Sequence, residues 1–343
     1  MKSVHATHSR RTVIGALGGI ATGVAIGRGA LAQESSPVAS PESGEWTYSD
    51  VLGKAVTLDS RPVRIAANLV TAAALWDLGI EAVAVFDWTA SAYPDGDHIA
   101  WGNVDASAVA NVGDVDGNIL PEDLILANPD IILTLTFDSD DPSQTGGVPL
   151  DLADRIEQIA PVLVVTDMDS TGLQLERLVQ LGESLGADLG APAIVEAKSA
   201  YEAKLDEFQE TAAAQADLTA VFINFDADAI YVAGPGGVAD LMFLDSLGLQ
   251  FANADSPAAG DFWETLSAEE AIKYPSDVLY NDVYSSFQGV EELSAQPTFA
   301  VMPAVAAGQV GEWPRDFPVS YAGVAAFLET ILVTLRSAEK VTD

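Results

Sequence analysis

The residue most suited to a chemical role is an arginine set among aromatic residues near the end of the chain. Arg315 lies in the segment Glu-Trp-Pro-Arg-Asp-Phe (312–317) and is the only cation between Lys273 and Arg336. A guanidinium offers a positive charge, a fork of hydrogen-bond donors and a flat face that stacks on aromatic rings. The segment therefore suits a planar anionic chelate. The alternative is an ion pair with Asp316 that only stabilises the loop.

Aromatic residues also cluster on segments that follow predicted strands. Rings with polar atoms at their tips bind bulky, partly apolar ligands well, although some of these rings could instead cover the edge of a core. The candidate ligand-binding residues beside Arg315 are Trp88, Tyr93, Trp101, Phe137, Trp263, Tyr284 and Trp313.

The sequence lacks the usual motifs of catalysis and metal binding. It contains no Cys, which excludes disulfides, thiolate metal sites and a Cys nucleophile. His98 is the only His outside the N-terminal segment, so a site for bare zinc is not expected. We interpret His98 as a solvated loop residue, with a haem ligand as the alternative. We therefore expect no catalytic residue, no bound metal and no cofactor.

A glycine-rich segment, Gly-Pro-Gly-Gly-Val-Ala (234–239), matches a dinucleotide-binding fingerprint only weakly. The proline inside the turn argues against that reading. We interpret the segment as a tight turn whose amides could face a ligand cleft.

Composition excludes several classes of partner. Asp and Glu number 51 against 15 Lys and Arg, which gives a formal net charge of -36. So few cations cannot form the basic face that nucleic acid or an anionic membrane surface requires. A hydrophobic fraction of 49% predicts a globular chain, and its like charges favour a soluble monomer.

Residues 1–32 predict an export signal. A basic start precedes an uncharged run at 13–27 that is too short and glycine-rich to span a bilayer, and residues 30–32 fit an A-x-A cleavage site. Ser-Arg-Arg-Thr-Val-Ile (9–14) is typical of a twin-arginine signal, with an ordinary secretory signal as the alternative. We expect an exported protein, periplasmic or associated with the cell surface. It carries no lipid on a Cys, and its signal is either cleaved or kept as an anchor.

The candidate residues depend on a chain that alternates strands and helices after a disordered tether at 33–45 and a hairpin at 46–58. Continuous apolar strands such as 82–86 and 131–135 are typical of parallel sheets. The helical stretch 171–214 is interrupted by glycines and Pro192, which predicts two helices, the second more than 20 residues long. The pattern predicts an α/β fold: two Rossmann-like lobes with parallel sheets (46–190 and 215–343) joined by one long α-helix (191–214).

An internal repeat supports the two lobes. The segment 121–132 (PEDLILANPDII) is matched in pattern by 268–278 (AEEAIKYPSDV), and Leu-Gly-Ile at 78–80 is matched by Leu-Gly-Leu at 247–249. Glu122 and Glu269 occupy equivalent positions on exposed helices. Ligands of such folds bind beyond the carboxyl ends of the strands, where the two lobes are expected to face each other.

These segments together resemble the substrate-binding proteins of ABC importers for iron–siderophores, haem and cobalamin, a class of periplasmic binding proteins with a helical hinge. The resemblance covers nearly all of 46–337. It is carried by Arg-Pro-Val-Arg-Ile (61–65), Val-Gly-Asp (112–114) with Pro-Asp-Ile-Ile-Leu (129–133), Tyr-Val-Ala-Gly-Pro-Gly-Gly (231–237) with Leu-Asp-Ser-Leu-Gly-Leu (244–249), and Ala-Val-Ala-Ala-Gly-Gln-Val (304–310).

The resemblance implies an extracytoplasmic protein that captures a ferric siderophore or similar chelate and delivers it to a membrane permease dimer. It implies that Glu122 and Glu269 contact arginines of the permease; the alternative is that both are ordinary surface acids. The loop of Arg315 matches a ligand-contacting region of the family. Haem or cobalamin binding, or an exported α/β enzyme that uses the same cleft, are the alternative functions.

Overall fold

The protein is described by a computed structural model that covers residues 44–226, 229–283 and 290–342. The predicted export signal, all but two residues of the predicted tether, and the candidate Tyr284 lie outside the described residues. Among the described residues, no helix has both the length and the apolar character needed to cross a membrane.

The N-terminal half forms a hairpin and a parallel sheet. Asp50 joins the two, because its carboxylate accepts backbone hydrogen bonds from Leu52 and Lys54 in the hairpin turn and from Val164 in the sheet. The sheet has the order β5-β4-β3-β6-β7, and all its pairs are parallel. The strands are β1 (Trp46–Ser49), β2 (Ala55–Leu58), β3 (Ile65–Asn68), β4 (Ala84–Phe86), β5 (Ala110–Asn111), β6 (Ile131–Leu135) and β7 (Val162–Thr166).

Five helices accompany this sheet, and short 3-10 turns lie at Ile99–Trp101 and Pro142–Gln144. The helices are α1 (Leu69–Trp76), α2 (Trp88–Ala92), α3 (Pro121–Ala127), α4 (Ala153–Glu157) and α5 (Thr171–Ser184).

The C-terminal half contains a second five-stranded sheet with the order β10-β9-β8-β11-β12. Its strands are β8 (Ala220–Phe225), β9 (Ala229–Ala233), β10 (Trp263–Ser267), β11 (Val278–Asp282) and β12 (Val310–Trp313). The pairs β8–β11 and β11–β12 are parallel, but β8–β9 and β9–β10 are antiparallel. The prediction of two lobes is confirmed, whereas the second sheet is mixed rather than parallel, since only three residues separate β8 from β9, too few for a crossover helix.

Helices of the second half are α7 (Ala239–Ser246), α8 (Val290–Ala295), α9 (Pro303–Ala306) and α10 (Tyr321–Leu335). The helix expected to carry Glu269 is a 3-10 helix, Ala268–Lys273. Its Ser267 and Glu270 form a reciprocal capping box.

The long helix α6 (Pro192–Ala214) connects the halves as predicted; its 23 residues span about 35 Å at 1.5 Å per residue. Ile194 near its start is buried in the first core, and Phe208 near its end is buried in the second. The lobe boundaries 46–190, 191–214 and 215–343 remain our proposal.

Charged side chains fasten α6 to α10. Lys204 donates to Glu207 at 2.7 Å and to Glu329 at 2.5 Å. Arg336, just after α10, donates to both of the same carboxylates. These contacts hold the pKa of Glu329 down at about 2, chiefly through its hydrogen bonds from Arg336 and Lys204. Two cations thus bridge two acids across the helix pair.

The internal repeat reappears as two equivalent aspartates. Asp130 precedes β6, and its carboxylate accepts from the backbone N–H groups of Val63 and Arg64, just before β3. Asp277 precedes β11, and its carboxylate accepts from the backbone N–H of Thr219, just before β8. In each lobe an aspartate therefore ties the start of one central strand to the start of its parallel neighbour.

Candidate functional site

A cavity of about 690 Å³ lies between the two lobes, beyond the carboxyl ends of β4, β6, β7 and β12. Its size is within the range of small-molecule sites, about 300–1,000 Å³. The first lobe contributes Val70, Trp88, Tyr93, Leu135, Thr136, Phe137, Thr166, Asp167, Met168, Thr171 and Gln174. The second lobe contributes Val238, Ala239, Asp240, Phe262, Arg315, Asp316, Phe317 and Val319.

The first-lobe wall carries an aromatic cluster that includes two predicted residues. Trp88 begins α2, and Tyr93 follows its end; their rings meet edge to face with centroids 6.4 Å apart. Asp87 fixes the turn into α2, since its carboxylate accepts from the backbone N–H of Thr89 at 2.8 Å and from the amide of Asn68 at 2.9 Å. The end of β4 therefore holds Trp88 and Tyr93 at the cavity.

His98 belongs to the same cluster. Its ring centroid lies 4.7 Å from that of Tyr93, and its Nδ1 accepts from the backbone N–H of Ala100 at 3.2 Å. The side chain is half-buried against aromatic rings, so the interpretation of His98 as a solvated loop residue is corrected.

A close approach of backbone supports this wall. Gly117 has φ +85°, and a Cβ added to it would lie 2.5 Å from the backbone nitrogen of Trp88. Only glycine adopts this positive φ and also lies this close to the backbone of Trp88, the first residue of α2, without displacing it.

Phe137 follows β6 and is 58% exposed at the rim of the cavity.

Asp167 follows β7 and pairs with Arg177 of α5, whose Nη1 lies 2.6 Å from the Asp167 carboxylate. The second Arg177 nitrogen reaches Asp169 at 2.7 Å, so this guanidinium is compensated by two acids.

Arg315 enters the cavity from the second lobe, where two carboxylates hold it. Its Nε donates to Asp282, whose side chain is fully buried, at 3.2 Å, and its Nη1 donates to Asp316 at 3.0 Å. The guanidinium carbon lies 5.7 Å from the ring centroid of Phe262 and 5.9 Å from that of Trp263. The predicted stacking and the alternative ion pair with Asp316 therefore occur together.

Asp316 is the cavity residue with an unusual backbone. Its φ of +57° lies in the left-handed region, which Asp and Asn adopt more readily than most residues. Loss of water within the cleft raises the pKa of Asp316; Arg315 opposes this effect, and Asp87 and Asp282 add to it.

Asp240, at the start of α7, is a buried acid that sequence reasoning missed. It is 5% exposed, and its carboxylate accepts from the indole N–H of Trp313 at 2.6 Å. Burial raises the pKa of Asp240 to about 6, although the bond from Trp313 favours the charged form. The cavity therefore has an acid in its wall that titrates just below neutral pH.

Three predicted aromatic residues do not line the cavity. Trp101 is 2% exposed in the first core, because its 3-10 turn packs against α1. Trp313 is fully buried in the second core, because Phe222 and Trp263 surround its ring and Asp240 takes its N–H. Trp263 is half-buried between Phe262 and Trp313, and its ring packs against the guanidinium of Arg315.

The glycine-rich turn also differs from expectation. The N–H of Gly236 donates to Ala259, and that of Gly237 to Gly234, so these amides serve the turn itself. A Cβ on Gly234 would lie 2.2 Å from the carbonyl oxygen of Asp261. The glycines are required because the 258–261 loop packs directly on the turn, and the expectation of amides facing a ligand is corrected.

The position of residues at the end of a strand would have indicated some of the cavity-lining residues that the sequence analysis missed. Residues 166–168 end and follow β7, as Phe137 follows β6, so the rule that indicated Phe137 applies to them equally. Asp240 carried no comparable signal, since its burial depends on Trp313 from a distant segment.

The two predicted docking residues are both exposed, one on each lobe. Glu122 lies on α3 and accepts from Arg155 Nη2 at 2.6 Å; this hydrogen bond lowers the pKa of Glu122. Glu269 lies on the 3-10 helix Ala268–Lys273. Three residues after each glutamate stands an exposed isoleucine, Ile125 and Ile272.

Within 44–226, 229–283 and 290–342, no three His, Cys, Asp or Glu side chains are grouped so that they could hold a metal ion.

Comparisons with known proteins agree with this architecture. The family model of the periplasmic binding proteins matches residues 56–317. No curated protein matches the sequence significantly.

Solved structures are similar over most of the chain. DesE, a ferric-siderophore receptor protein from Streptomyces coelicolor, has 29% identity and a TM-score of 0.76, and covers 87% of this chain and 100% of its own. The siderophore periplasmic binding protein from the fuscachelin gene cluster of Thermobifida fusca has 23% identity and a TM-score of 0.59, with coverages of 80% and 96%. FhuD from Vibrio cholerae, solved with Fe3+-Desferal, has 18% identity and a TM-score of 0.56, with coverages of 80% and 98%.

The family model spans most of the chain and both lobes that form the cavity. The α/β fold agrees with that of the similar solved structure DesE. The chain therefore belongs to the periplasmic binding protein family, the substrate-binding class of ABC importers that its sequence resembles.

Proposed function

We propose that this protein captures a ferric siderophore in the cleft between its lobes and delivers the intact complex to an ABC permease. The observation that carries this proposal is the cavity of about 690 Å³ walled by Trp88, Tyr93, Phe137 and Phe262. Flat and partly exposed rings suit the organic shell of a metal chelate. DesE, similar over the whole of its own length, is described as a ferric-siderophore receptor.

Binding in this proposal is noncovalent and leaves the ligand unchanged. The protein acts as a binding protein rather than an enzyme and needs no cofactor, since the chelate brings its own iron. We propose that it works as a monomer and is exported through its N-terminal segment, to the periplasm or the cell surface.

The permease contact is proposed to use one exposed face on each lobe. Glu122 and Glu269 supply the charge for hydrogen bonds to permease arginines. The exposed Ile125 and Ile272 lie three residues further on, which gives both faces the same pairing of an acid with an apolar side chain. A permease made of two equivalent subunits would meet two similar faces.

Tryptophan fluorescence tests ligand capture directly. Ferric desferrioxamine, ferrichrome and a ferric tris-catecholate are titrated into the protein, and we expect at least one to quench saturably and to be recovered unchanged. Trp88→Phe should remove much of the ligand-induced quenching. Trp46→Phe, in the remote hairpin, should leave the dependence of quenching on ligand concentration unchanged. Failure of all three complexes to bind, or binding of haem or cobalamin instead, would reject the siderophore assignment.

A further inference from the structure

The charged groups of the cleft bear on which chelate it accepts. Among the described lining residues, Asp167, Asp240 and Asp316 are acidic, and Arg315 is the one cation. The internal segments outside the description, 227–228 and 284–289, contain no Lys or Arg in their sequence. The cavity therefore has more carboxylates than cations in its wall.

Arg315, and Arg177 beside the lining residue Asp167, are already matched by acids. Arg315 donates to Asp282 and Asp316, and Arg177 donates to Asp167 and Asp169. Each guanidinium thus faces two carboxylates. An anionic ligand placed beside Arg315 would also lie beside Asp316, whose side chain is 41% exposed to the cleft.

The third acid, Asp240, receives hydrogen bonds from two neutral donors, and the charge of Arg315 also acts on it. Asp240 accepts from the neutral indole N–H of Trp313 and from the backbone N–H of Leu241. Together with Asp316 it gives the second-lobe wall an excess of negative charge. In a cleft of reduced dielectric, such an excess acts strongly on a charged ligand.

The common classes of ferric siderophore differ in net charge. Iron(III) with three hydroxamate anions is neutral, and a pendant ammonium makes such a complex cationic. Iron(III) with three doubly ionised catecholates carries three negative charges. The net charge of the cleft can therefore discriminate between these ligands independently of their shape.

From this arrangement we propose that the cleft selects ferric complexes of zero or positive net charge and rejects tris-catecholates, with Asp316 as the specificity-determining residue. The inference rests on the proposed function. In this proposal Arg315 orients Asp282 and Asp316 through ion pairs and does not bind an anionic ligand. Asp316 is the selecting residue because it alone combines exposure to the cleft with direct contact to Arg315.

The test compares three probes on the same protein by fluorescence quenching at low ionic strength. Ferric desferrioxamine B carries a terminal ammonium, ferrichrome is neutral, and ferric enterobactin is a tris-catecholate anion. We expect the cationic and neutral complexes to bind at least about 100-fold more tightly than the anion.

Substitution of the selecting residue should change the ranking. Asn tolerates a positive φ and keeps a hydrogen-bond acceptor, so Asp316→Asn removes the charge with little change in shape. We expect it to weaken the cationic complex and strengthen the anionic one, each by about fivefold, with less than a twofold change for ferrichrome. Glu81→Gln removes the same charge from an exposed residue ahead of β4, away from the cleft, and should change none of the three affinities.

The outcomes separate this inference from the proposed function. Binding of the tris-catecholate as tightly as of ferrichrome, or equal effects of Asp316→Asn on all three probes, would overturn charge selection while leaving siderophore capture intact. If none of the complexes binds, the proposed function fails and the inference fails with it.

Discussion

The hydroxyl group of Ser320 in the second lobe donates a hydrogen bond to the carboxylate of Asp77 in the first lobe. The same carboxylate accepts from the side-chain amide of Asn103 at 2.8 Å. The loop before α10 packs closely here, since a Cβ on Gly102 would lie 2.6 Å from the ring of Pro318. The lobes are thus joined at a second place besides α6, close to the floor of the cavity at Val319.

Removing this contact should loosen the lobes. Asp77→Ala eliminates the acceptor of the Ser320 hydroxyl and of the exposed Asn103 amide, but it leaves the bond from the Gly323 N–H to the Ser320 hydroxyl, which caps α10. We expect a loss of about 1 kcal/mol in the free energy of unfolding and faster hydrogen exchange around residues 317–321. Ser320→Ala removes both bonds and should cost about 2 kcal/mol. Equal losses for the two variants would mean that the cap of α10 contributes no more to stability than the exposed bond from Asn103.

The repeated aspartates predict unequal losses of stability. Asp277 accepts from three backbone N–H groups, those of Thr219, Val341 and Thr342, and from Lys340. Asp277→Asn should therefore lower the free energy of unfolding by about 2 to 4 kcal/mol at neutral pH. Asp130→Asn removes a carboxylate with two backbone partners and should cost less. Chemical denaturation of both variants gives the comparison, and a larger loss for Asp130→Asn would contradict it.

The environment of Asp277 also gives its contribution a defined pH dependence. Its backbone donors outweigh desolvation and hold the pKa of Asp277 well below the ordinary value of 3.8. Its contribution to stability is therefore present above about pH 4 and is lost as the pH falls toward the folded-state pKa. The stability difference between the wild type and Asp277→Asn should shrink below pH 4.

Ionisation of Asp240 should lower the stability of the fold, the opposite of the effect of Asp277. Its pKa is about 6 in the folded protein, above the ordinary 3.8, so the folded state binds a proton that the unfolded state has released. Stability then falls as the pH rises from about 4 to 6, and the penalty persists above pH 6. Asp240→Asn keeps an acceptor for Trp313 and should be more stable than the wild type by about 1 to 3 kcal/mol at pH 7. Thermal unfolding at pH 4 and pH 7 measures this difference, and an equal difference at both values would contradict the assignment.

The paired glutamates predict a separation of uptake from binding. Glu122→Ala combined with Glu269→Ala should abolish siderophore-dependent uptake, because both faces lose the charge proposed to pair with permease arginines. Affinity for the ferric complex should stay within about twofold, since both residues are remote from the cavity. Glu81→Ala with Glu183→Ala removes the same charge from other exposed positions and should leave uptake normal. Loss of ligand affinity in the first double variant would assign the residues to the cleft instead.

Arg315 should be more important for the fold than for anion capture. Arg315→Ala leaves the fully buried carboxylate of Asp282 without its cation, and we expect a loss of about 2 to 4 kcal/mol in stability. Adding Asp282→Asn should restore part of the loss, because no buried charge is then left uncompensated. If both variants are as stable as the wild type, the ion pair has no structural role.

The sequence predicted the fold well where periodicity and end signals coincide. Strand Ile131–Leu135 has the predicted bounds, and Glu122 lies on a helix as expected, Pro121–Ala127, since a continuous apolar run and a proline at the first turn are local features. The antiparallel pairing of β9 with β10 was missed, because it depends on residues 30 to 38 positions apart.

The candidate site was less predictable for the same reason. Trp88 and Tyr93 lie at the cavity because the turn at Asp87 places them there, a feature close in sequence. Trp313 and Trp101 looked equivalent in sequence, yet packing buried both. Whether a ring faces a cleft or a core depends on neighbours from other elements, here Asp240 and α1.

The bridged charges between α6 and α10 determine where the molecule can bend. Lys204 and Arg336 bind Glu207 and Glu329, so the C-terminal half of α6 belongs mechanically to the second lobe. Because Ile194 at the start of α6 is buried in the first core, a rotation of one lobe against the other would bend the helix between Ile194 and Lys204. The part that moves in any such rotation is the second lobe together with the C-terminal half of α6.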